Sequence, residues 1–87
     1  MITIIYGDRF LRSAQKLSKK QRAKLTKLLT ILQQNPFNTR LHTKHLSGPL
    51  VGLFSFRITR DWRVIFQFLS SNQIKLIDIG HRKEIYR

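Results

Sequence analysis

Cysteine is absent from this 87-residue sequence, and acidic residues are few. Without cysteine the chain can form neither a disulfide framework nor a thiolate metal site. The carboxylates are scattered, at Asp8, Asp61, Asp78 and Glu84, so no spaced pair indicates a two-metal nuclease or a glycosidase. No glycine-rich phosphate loop precedes a helix, and no serine lies on a nucleophile elbow. We therefore expect a function that uses no metal and no cofactor.

Long apolar runs are missing as well. No segment approaches the roughly 18 apolar residues of a membrane-spanning helix. Residues 1–6 lack the basic start of a signal peptide. We expect a cytoplasmic protein, and the short length predicts a single domain over residues 1–87.

Positive charge dominates what is present. Lysine and arginine number 17 against four aspartate and glutamate residues, which makes the formal net charge +13. Such a chain attracts polyanions, so a nucleic acid or an acidic protein is the expected partner. The alternative is a basic surface that only keeps the protein soluble.

The first half of the chain is predicted to form one strand and two helices. Residues 2–6 alternate β-branched and aromatic side chains, which favours a strand. Asp8 is placed to cap a first helix and Ser18 to cap a second. The second helix ends before Pro36. Its apolar stripe consists of Leu25, Leu28, Leu29 and Leu32. Two helices with a tight break between them predict a helical hairpin.

The second half is predicted to be a loop followed by three strands. Proline, asparagine and glycine punctuate residues 36–50, which indicates a loop. From Val51 the apolar period changes to two, over segments 51–58, 62–69 and 74–79. The resulting β-α-α-β-β-β order predicts an α+β fold: a small antiparallel sheet with the helical hairpin on one face and the first strand in the same sheet. The opposite face is expected to stay open as a concave ligand surface.

Basic residues are concentrated where the last three strands meet. Arg57 and Arg63 flank the turn at residues 59–61 and are expected to be cross-strand neighbours. Arg82, His81 and Tyr86 follow the last strand and can reach the same surface. The arginines would hold a phosphate and stabilise charge that develops on it. From the residues alone, solvated strand positions remain the alternative.

The loop contains two histidines with a metal-like spacing. His42 and His45 are separated by Thr43 and Lys44. We interpret this segment as a surface or RNA-contacting loop rather than a metal site. Lys44, His45 and Arg60 are predicted to bind RNA.

Four segments of the C-terminal half form a recognisable set. They are LSG at 46–48, FSFRI at 54–58, WRVIF at 62–66 and DIGHRKEIYR at 78–87. With the element order, this set resembles the RelE/ParE superfamily, the toxins of type II toxin–antitoxin pairs. The resemblance covers nearly the whole chain. It implies a metal-independent endoribonuclease that cuts messenger RNA, usually on the ribosome, with the RNA 2′-hydroxyl as nucleophile. It also implies a cognate antitoxin with an acidic or amphipathic segment.

The resemblance assigns roles to individual residues. Arg57 would contact the RNA and help to activate the nucleophile, Arg63 would stabilise the scissile phosphate, and Arg82 would serve the same phosphate. Tyr86 would orient the substrate or stack on it. His81 stands where YoeB-like relatives carry a catalytic histidine, and would move the proton as general acid or base.

Two other functions stay open at this point. ParE-type relatives share the fold and inhibit DNA gyrase by binding, without nuclease chemistry. A degenerate member would bind only an antitoxin or RNA. Ser55 replaces a basic strand residue of RelE, which removes one charge from the site. The retained arginines and Tyr86 favour the nuclease.

Overall fold

The computed structural model describes residues 1–85, which fold into five strands and three helices. The strands are β1 Thr3–Tyr6, β2 Lys44–His45, β3 Phe54–Arg57, β4 Trp62–Ser70 and β5 Gln73–His81. The helices are α1 Asp8–Ala14, α2 Lys19–Gln34 and α3 Arg82–Ile85. Two 3₁₀ turns, Thr39–Leu41 and Gly48–Leu50, lie between α2 and β3. The predicted α+β order is confirmed, with β2 and α3 in addition to it.

Helix α2 begins with a capping box. The Ser18 hydroxyl accepts a hydrogen bond from the Gln21 backbone N–H at 3.1 Å, and Gln21 Oε1 accepts one from the Ser18 backbone N–H at 3.0 Å. Two donors at the helix start are satisfied in this way. The prediction that Ser18 caps this helix is confirmed.

The prediction that Asp8 caps the first helix is wrong. Gly7 occupies the cap position, and Asp8 is the first residue of α1. The reason is a close approach to β5: the Gly7 N–H donates to the Leu76 carbonyl oxygen at 3.0 Å. A Cβ at Gly7 would stand 2.6 Å from that same oxygen, so only glycine fits there. The chain therefore changes from strand to helix at Gly7.

Replacing Ser18 with alanine is expected to destabilise the protein by about 1 kcal/mol, because the hydrogen bond that the Ser18 hydroxyl accepts from the Gln21 N–H is lost at a helix start. Thermal unfolding followed by circular dichroism should show a melting temperature lower by about 4–8 °C. Ser47→Ala is the matched control, since Ser47 precedes a 3₁₀ turn and its side chain makes no capping bond. Equal melting temperatures for the two variants would contradict the assigned role of Ser18.

The strands form one mixed sheet in the order β1-β5-β4-β3-β2. Strand β1 runs parallel to β5, and the other neighbours are antiparallel. The predicted meander of β3, β4 and β5 and the placement of the first strand in the same sheet are confirmed. The loop prediction is wrong at Lys44 and His45, which pair with Ser55 and Phe54. This pairing satisfies backbone groups that the edge of β3 would otherwise expose.

The hydrophobic core lies between the helical hairpin and one face of the sheet. Helix α2 contributes its predicted stripe, of which Leu25, Leu28 and Leu32 are buried. The sheet side contributes apolar residues that alternate along the chain, apart from a register shift of β5 between Leu76 and Ile79. These residues are Phe56, Ile58, Val64, Phe66, Ile74, Leu76 and Ile79. The predicted packing of the hairpin on one sheet face is thus confirmed.

The opposite face is less open than predicted. Ser55 and Ile65, which are partners in the β3–β4 register, are buried there, and so is Arg63. Part of the cover is α3, because a Cβ added at Gly80 would stand 3.2 Å from Cδ1 of Ile85. The segment predicted as a basic tail therefore turns back over this face instead of leaving it free.

Candidate functional site

Arg57 and Arg63 stand directly opposite each other in the register of β3 and β4. The predicted cross-strand pair is therefore confirmed. Side chains alternate along a strand, so both arginines lie on the face opposite Phe56 and Val64. On β5, Gly80 is the partner of Arg63. Glycine leaves room at this point of the sheet, which allows α3 to begin beside the arginines.

A basic cavity of about 470 Å³ opens at this end of the sheet. Within residues 1–85 its lining comes from α2, the loop before β2, the end of β3, the following turn and the start of α3. The lining residues are Lys24, Arg40, His42, Arg57, Ile58, Thr59, Arg60 and Arg82. Lysine and arginine side chains supply all of the formal charge among these described residues, and no carboxylate is among them. We refer to this space as the basic cavity.

Arg82 is held at the basic cavity by the turn between β3 and β4. The Arg82 backbone N–H donates to the Asp61 carbonyl oxygen at 2.7 Å, and Arg82 Nε lies 3.4 Å from Asp61 Oδ1. Both side chains are about half exposed, so the ion pair adds only about 0–1 kcal/mol of stability. Its larger effect is geometric, because it fixes one guanidinium beside Arg57 and Arg60.

Arg63 has a different position from the one its predicted role suggests. It is buried, and its Nη2 donates to the Arg60 carbonyl oxygen at 3.1 Å. It is not among the residues that line the basic cavity. Arg63 therefore supports the turn that presents Arg60, and its contact with a scissile phosphate stays a prediction.

His81 does not join the arginines, so the expectation that all of these side chains converge on one face is wrong. It pairs with Trp62 across the strands, and the two rings meet edge to face with centroids 5.6 Å apart. Its Nδ1 accepts a hydrogen bond from the Lys83 backbone N–H at 3.2 Å. The physical reason is strand alternation: Gly80 shares the face of Arg63, so the next residue points to the side of the helical hairpin.

The other predicted RNA-binding residues lie in two places. Arg60 lines the basic cavity, whereas Lys44 and His45 line a separate cavity of about 220 Å³ beside β2. The His45 ring packs against Phe54, with centroids 4.9 Å apart. Tyr86 lies outside the described residues, so its predicted role stays a prediction.

Sequence reasoning missed Lys24 and Arg40 of the basic cavity, and it considered His42 only as part of a surface or RNA-contacting loop. Lys24 is one of several basic residues on the exposed side of α2, and no local pattern distinguishes it from the others. Arg40 and His42 lie in the segment that was interpreted as loop. Their position depends on how that loop returns towards β3, which the sequence does not reveal.

The arrangement is suited to binding a polyanion. Cations from five separate parts of the chain repel one another unless an anion lies between them. Guanidinium groups match the geometry of phosphate oxygens and can bind them in a bidentate manner. Within residues 1–85 no three His, Asp or Glu side chains are grouped so as to hold a metal ion, and none of the helices there could traverse a lipid bilayer. The described lining residues of the basic cavity can therefore stabilise negative charge, and one of them, His42, carries an imidazole.

A protein-family model matches residues 4–86, and it describes the ParE toxin of the parDE type II toxin–antitoxin system. The chain is therefore a toxin of the RelE/ParE superfamily, which confirms the resemblance seen in the sequence. More narrowly, it belongs to the ParE toxin family of type II toxin–antitoxin systems. Curated protein sequences give no significant match.

Solved structures with the same fold are numerous. YafQ from E. coli strain BL21(DE3) has a TM-score of 0.80 and 20% identity, with all of both chains covered. The archaeal RelE–RelB complex from Pyrococcus horikoshii OT3 has a TM-score of 0.78 and 20% identity over 95% of this chain and 97% of that one. The heterotetrameric YoeB–YefM toxin–antitoxin complex from Staphylococcus aureus has a TM-score of 0.75 and 21% identity over 94% and 98%. At such identities the likeness establishes the fold.

Proposed function

We propose that this toxin is a metal-independent endoribonuclease that cleaves messenger RNA at the basic cavity. The observation that carries the proposal is the convergence of Arg57, Arg60 and Arg82 on one open cavity whose described lining contains no carboxylate. A gyrase inhibitor that acts by binding alone has no need of guanidinium groups clustered around an open cavity. The fold that the chain shares with YafQ, RelE and YoeB is consistent with the proposed nuclease.

The cleavage step uses the RNA's own 2′-hydroxyl. Its oxygen forms a bond to the adjacent phosphorus while the bond from phosphorus to the 5′-oxygen breaks, which leaves a 2′,3′-cyclic phosphate and a 5′-hydroxyl. Negative charge grows on the phosphate oxygens and on the leaving oxygen in the transition state. Preorganised guanidinium donors stabilise that charge more strongly than water does, because they need no reorganisation.

Arg57 has a specific feature that fits this role. Its Nε is buried and has no hydrogen-bond partner within the described part of the chain. A buried donor without an acceptor carries a penalty of about 1–3 kcal/mol, and more for a charged group. Because Arg57 also lines the basic cavity, a phosphate bound there would offset part of this cost through its attraction to the guanidinium charge.

Two macromolecular partners follow from the charge. The net charge of +13 favours a cognate antitoxin with an acidic or amphipathic segment, as YefM and RelB accompany YoeB and RelE in the solved complexes. It also favours salt-sensitive binding to ribosomal RNA, which would deliver messenger RNA to the site.

The test is to map messenger RNA ends after brief expression of the toxin without an antitoxin. Cuts inside translated regions are expected with the wild type. Cuts that occur only in translated regions would indicate that the toxin acts on the ribosome. Cuts that also occur in untranslated RNA would indicate a nuclease that acts without the ribosome. Intact messages with arrested growth would contradict the proposed nuclease.

The second candidate is inhibition of DNA gyrase. The observation in its favour is the match to the ParE toxin family, because the resemblance seen in the sequence implies gyrase inhibition for ParE-type members. It predicts DNA damage signalling and loss of DNA supercoiling in cells that express the toxin, with messages intact. Measuring RNA ends and supercoiling in the same culture separates the two candidates, because each predicts a change in only one of them.

Replacing Asp61 with asparagine is expected to lower RNA cleavage between about 10- and 100-fold, because Arg82 loses the carboxylate that orients its guanidinium. Stability should fall by less than about 1 kcal/mol, since the lost ion pair is half exposed. The comparison is a single-turnover cleavage assay beside a thermal melt, with the exposed Asp8→Asn as control. Cleavage at the wild-type rate would show that Asp61 does not position Arg82.

A further inference from the structure

We propose that His42 is the proton-transferring residue of the basic cavity and acts as general base on the RNA 2′-hydroxyl, an inference that rests on the nuclease function proposed above. The resemblance to known toxins points instead to His81 for this role. The geometry favours His42, because His42 lines the basic cavity while His81 packs on Trp62 at the other face of the sheet.

The backbone that carries His42 is well anchored although its imidazole is exposed. Leu41, immediately before it, is completely buried in the core. The His42 N–H donates to the Thr39 carbonyl oxygen at 3.3 Å, and the Asn38 side chain accepts from the Arg40 N–H at 2.9 Å. An exposed side chain on a fixed backbone is suited to meet a substrate in a constant position.

His42 also has an unusual backbone conformation. Its φ is 49° and its ψ is 45°, in the left-handed region, and within residues 1–85 no other non-glycine residue has a positive φ. A side chain with a Cβ is disfavoured there by about 1–2 kcal/mol. Such conformations persist where the surroundings enforce them, and they are concentrated at functional sites. The conformation directs the chain from the 3₁₀ turn into β2 and leaves the imidazole at the cavity.

The chemistry of the other lining residues singles out the imidazole. Lysine and arginine keep their protons near neutral pH, so the charged neighbours can stabilise anions but cannot accept a proton. These neighbours come from every element around the cavity: Lys24, Arg40, Arg57, Arg60 and Arg82. The remaining described lining residues, Ile58 and Thr59, carry no group that titrates near neutrality. Histidine is the side chain that both accepts and donates a proton in this range.

The proposed step balances without a co-reactant other than water. The neutral imidazole of His42 takes the proton from the 2′-hydroxyl as its oxygen bonds to phosphorus. The bond to the 5′-oxygen breaks, the guanidinium groups stabilise the leaving oxygen, and that oxygen takes a proton from water. The imidazolium then returns its proton to solvent through the open cavity, and the enzyme is restored.

The test uses His42→Gly and added imidazole. Glycine adopts a left-handed backbone readily, so the variant removes the ring without disturbing the turn. Cleavage of messenger RNA, free or ribosome-bound as the wild type requires, is expected to fall by about 100-fold or more. Free imidazole should raise the rate with concentration, because it can enter the open cavity and replace the lost base. Arg57→Ala should lose activity without such rescue.

The possible results are distinguishable. If the wild type cleaves no RNA, the proposed function fails before His42 is tested. If the wild type cleaves and His42→Gly cleaves equally fast, the role of His42 is overturned while the nuclease stands. A slow His42→Gly variant that imidazole does not rescue would also overturn it, because the defect would then be structural. Rescue of His81→Gly in place of His42→Gly would assign the proton transfer to His81 instead.

Discussion

Replacing Arg57 with alanine is expected to reduce messenger RNA cleavage by about 100- to 1,000-fold, the effect of removing one preorganised donor from a developing oxyanion. Arg57 is at the centre of the proposed site, since it lines the basic cavity and has a buried Nε without a partner in the described chain. The fold should tolerate the change, because Arg57 ends β3 outside the hydrophobic core and faces another cation, Arg63. The Arg57→Lys variant should cleave RNA at a rate between those of the wild type and Arg57→Ala, because lysine keeps the charge but loses the planar guanidinium group.

Arg22→Ala is the control for the loss of one positive charge. Arg22 is exposed on α2 and belongs to neither the basic cavity nor the sheet. Single-turnover cleavage of the same RNA by the wild type, Arg57→Ala and Arg22→Ala separates a local effect at the cavity from a general loss of affinity for RNA. Equal losses for Arg57→Ala and Arg22→Ala would mean that only net charge matters and that the basic cavity is not the site of chemistry.

Replacing Phe66 with alanine is expected to destabilise the protein by about 3–5 kcal/mol, because a fully buried aromatic side chain leaves a cavity that the core cannot close. Phe66 is completely buried in the middle strands of the sheet and packs against Phe54, Phe56 and Phe68. A domain of this size has a total stability of only about 5–15 kcal/mol. The melting temperature should therefore fall by about 12 °C or more.

Phe37→Ala is the matched control, because it removes the same side chain from a position that is 59% exposed at the edge of the same aromatic group. Its melting temperature should change by only a small fraction of the Phe66 effect. Thermal unfolding of both variants in the same buffer measures the two shifts in melting temperature. Similar shifts for the two would contradict the position of Phe66 inside the hydrophobic core.

The fold was accessible from the sequence because its signals are local. Alternating apolar residues in β3, β4 and β5 and the leucine stripe of α2 each predict their own element. Ser18 carries a capping pattern that needs no tertiary information. Asp8 failed as a cap for the opposite reason, because the close approach between Gly7 and the Leu76 carbonyl is a tertiary contact. Strand β2 was missed since two residues are too few for a periodic pattern.

The site was only half accessible. Arg57 and Arg63 were found because a hairpin turn brings them together, and Arg60 and Arg82 because they are adjacent to that turn or strand. Arg63 is buried, whereas Arg60 lines the basic cavity. Strand periodicity does not determine which of these two side chains is turned inward. His42 itself has the left-handed backbone conformation that places it at the basic cavity. No sequence pattern indicates that the loop turns back at this residue.

The position of β5 has a consequence for synthesis of the protein. Of the five described strands it is the last to be made, yet it lies between β1 and β4, and β1 has no other neighbour in the sheet. Pairings between segments so distant in the chain form late, because the intervening chain must first be closed into a loop. The nascent polypeptide therefore cannot complete its sheet, or bring Arg82 to Arg57, until β5 and the start of α3 have left the ribosome. The basic cavity is therefore absent from every nascent chain that has not yet exposed β5, so no shorter intermediate of synthesis carries the assembled site.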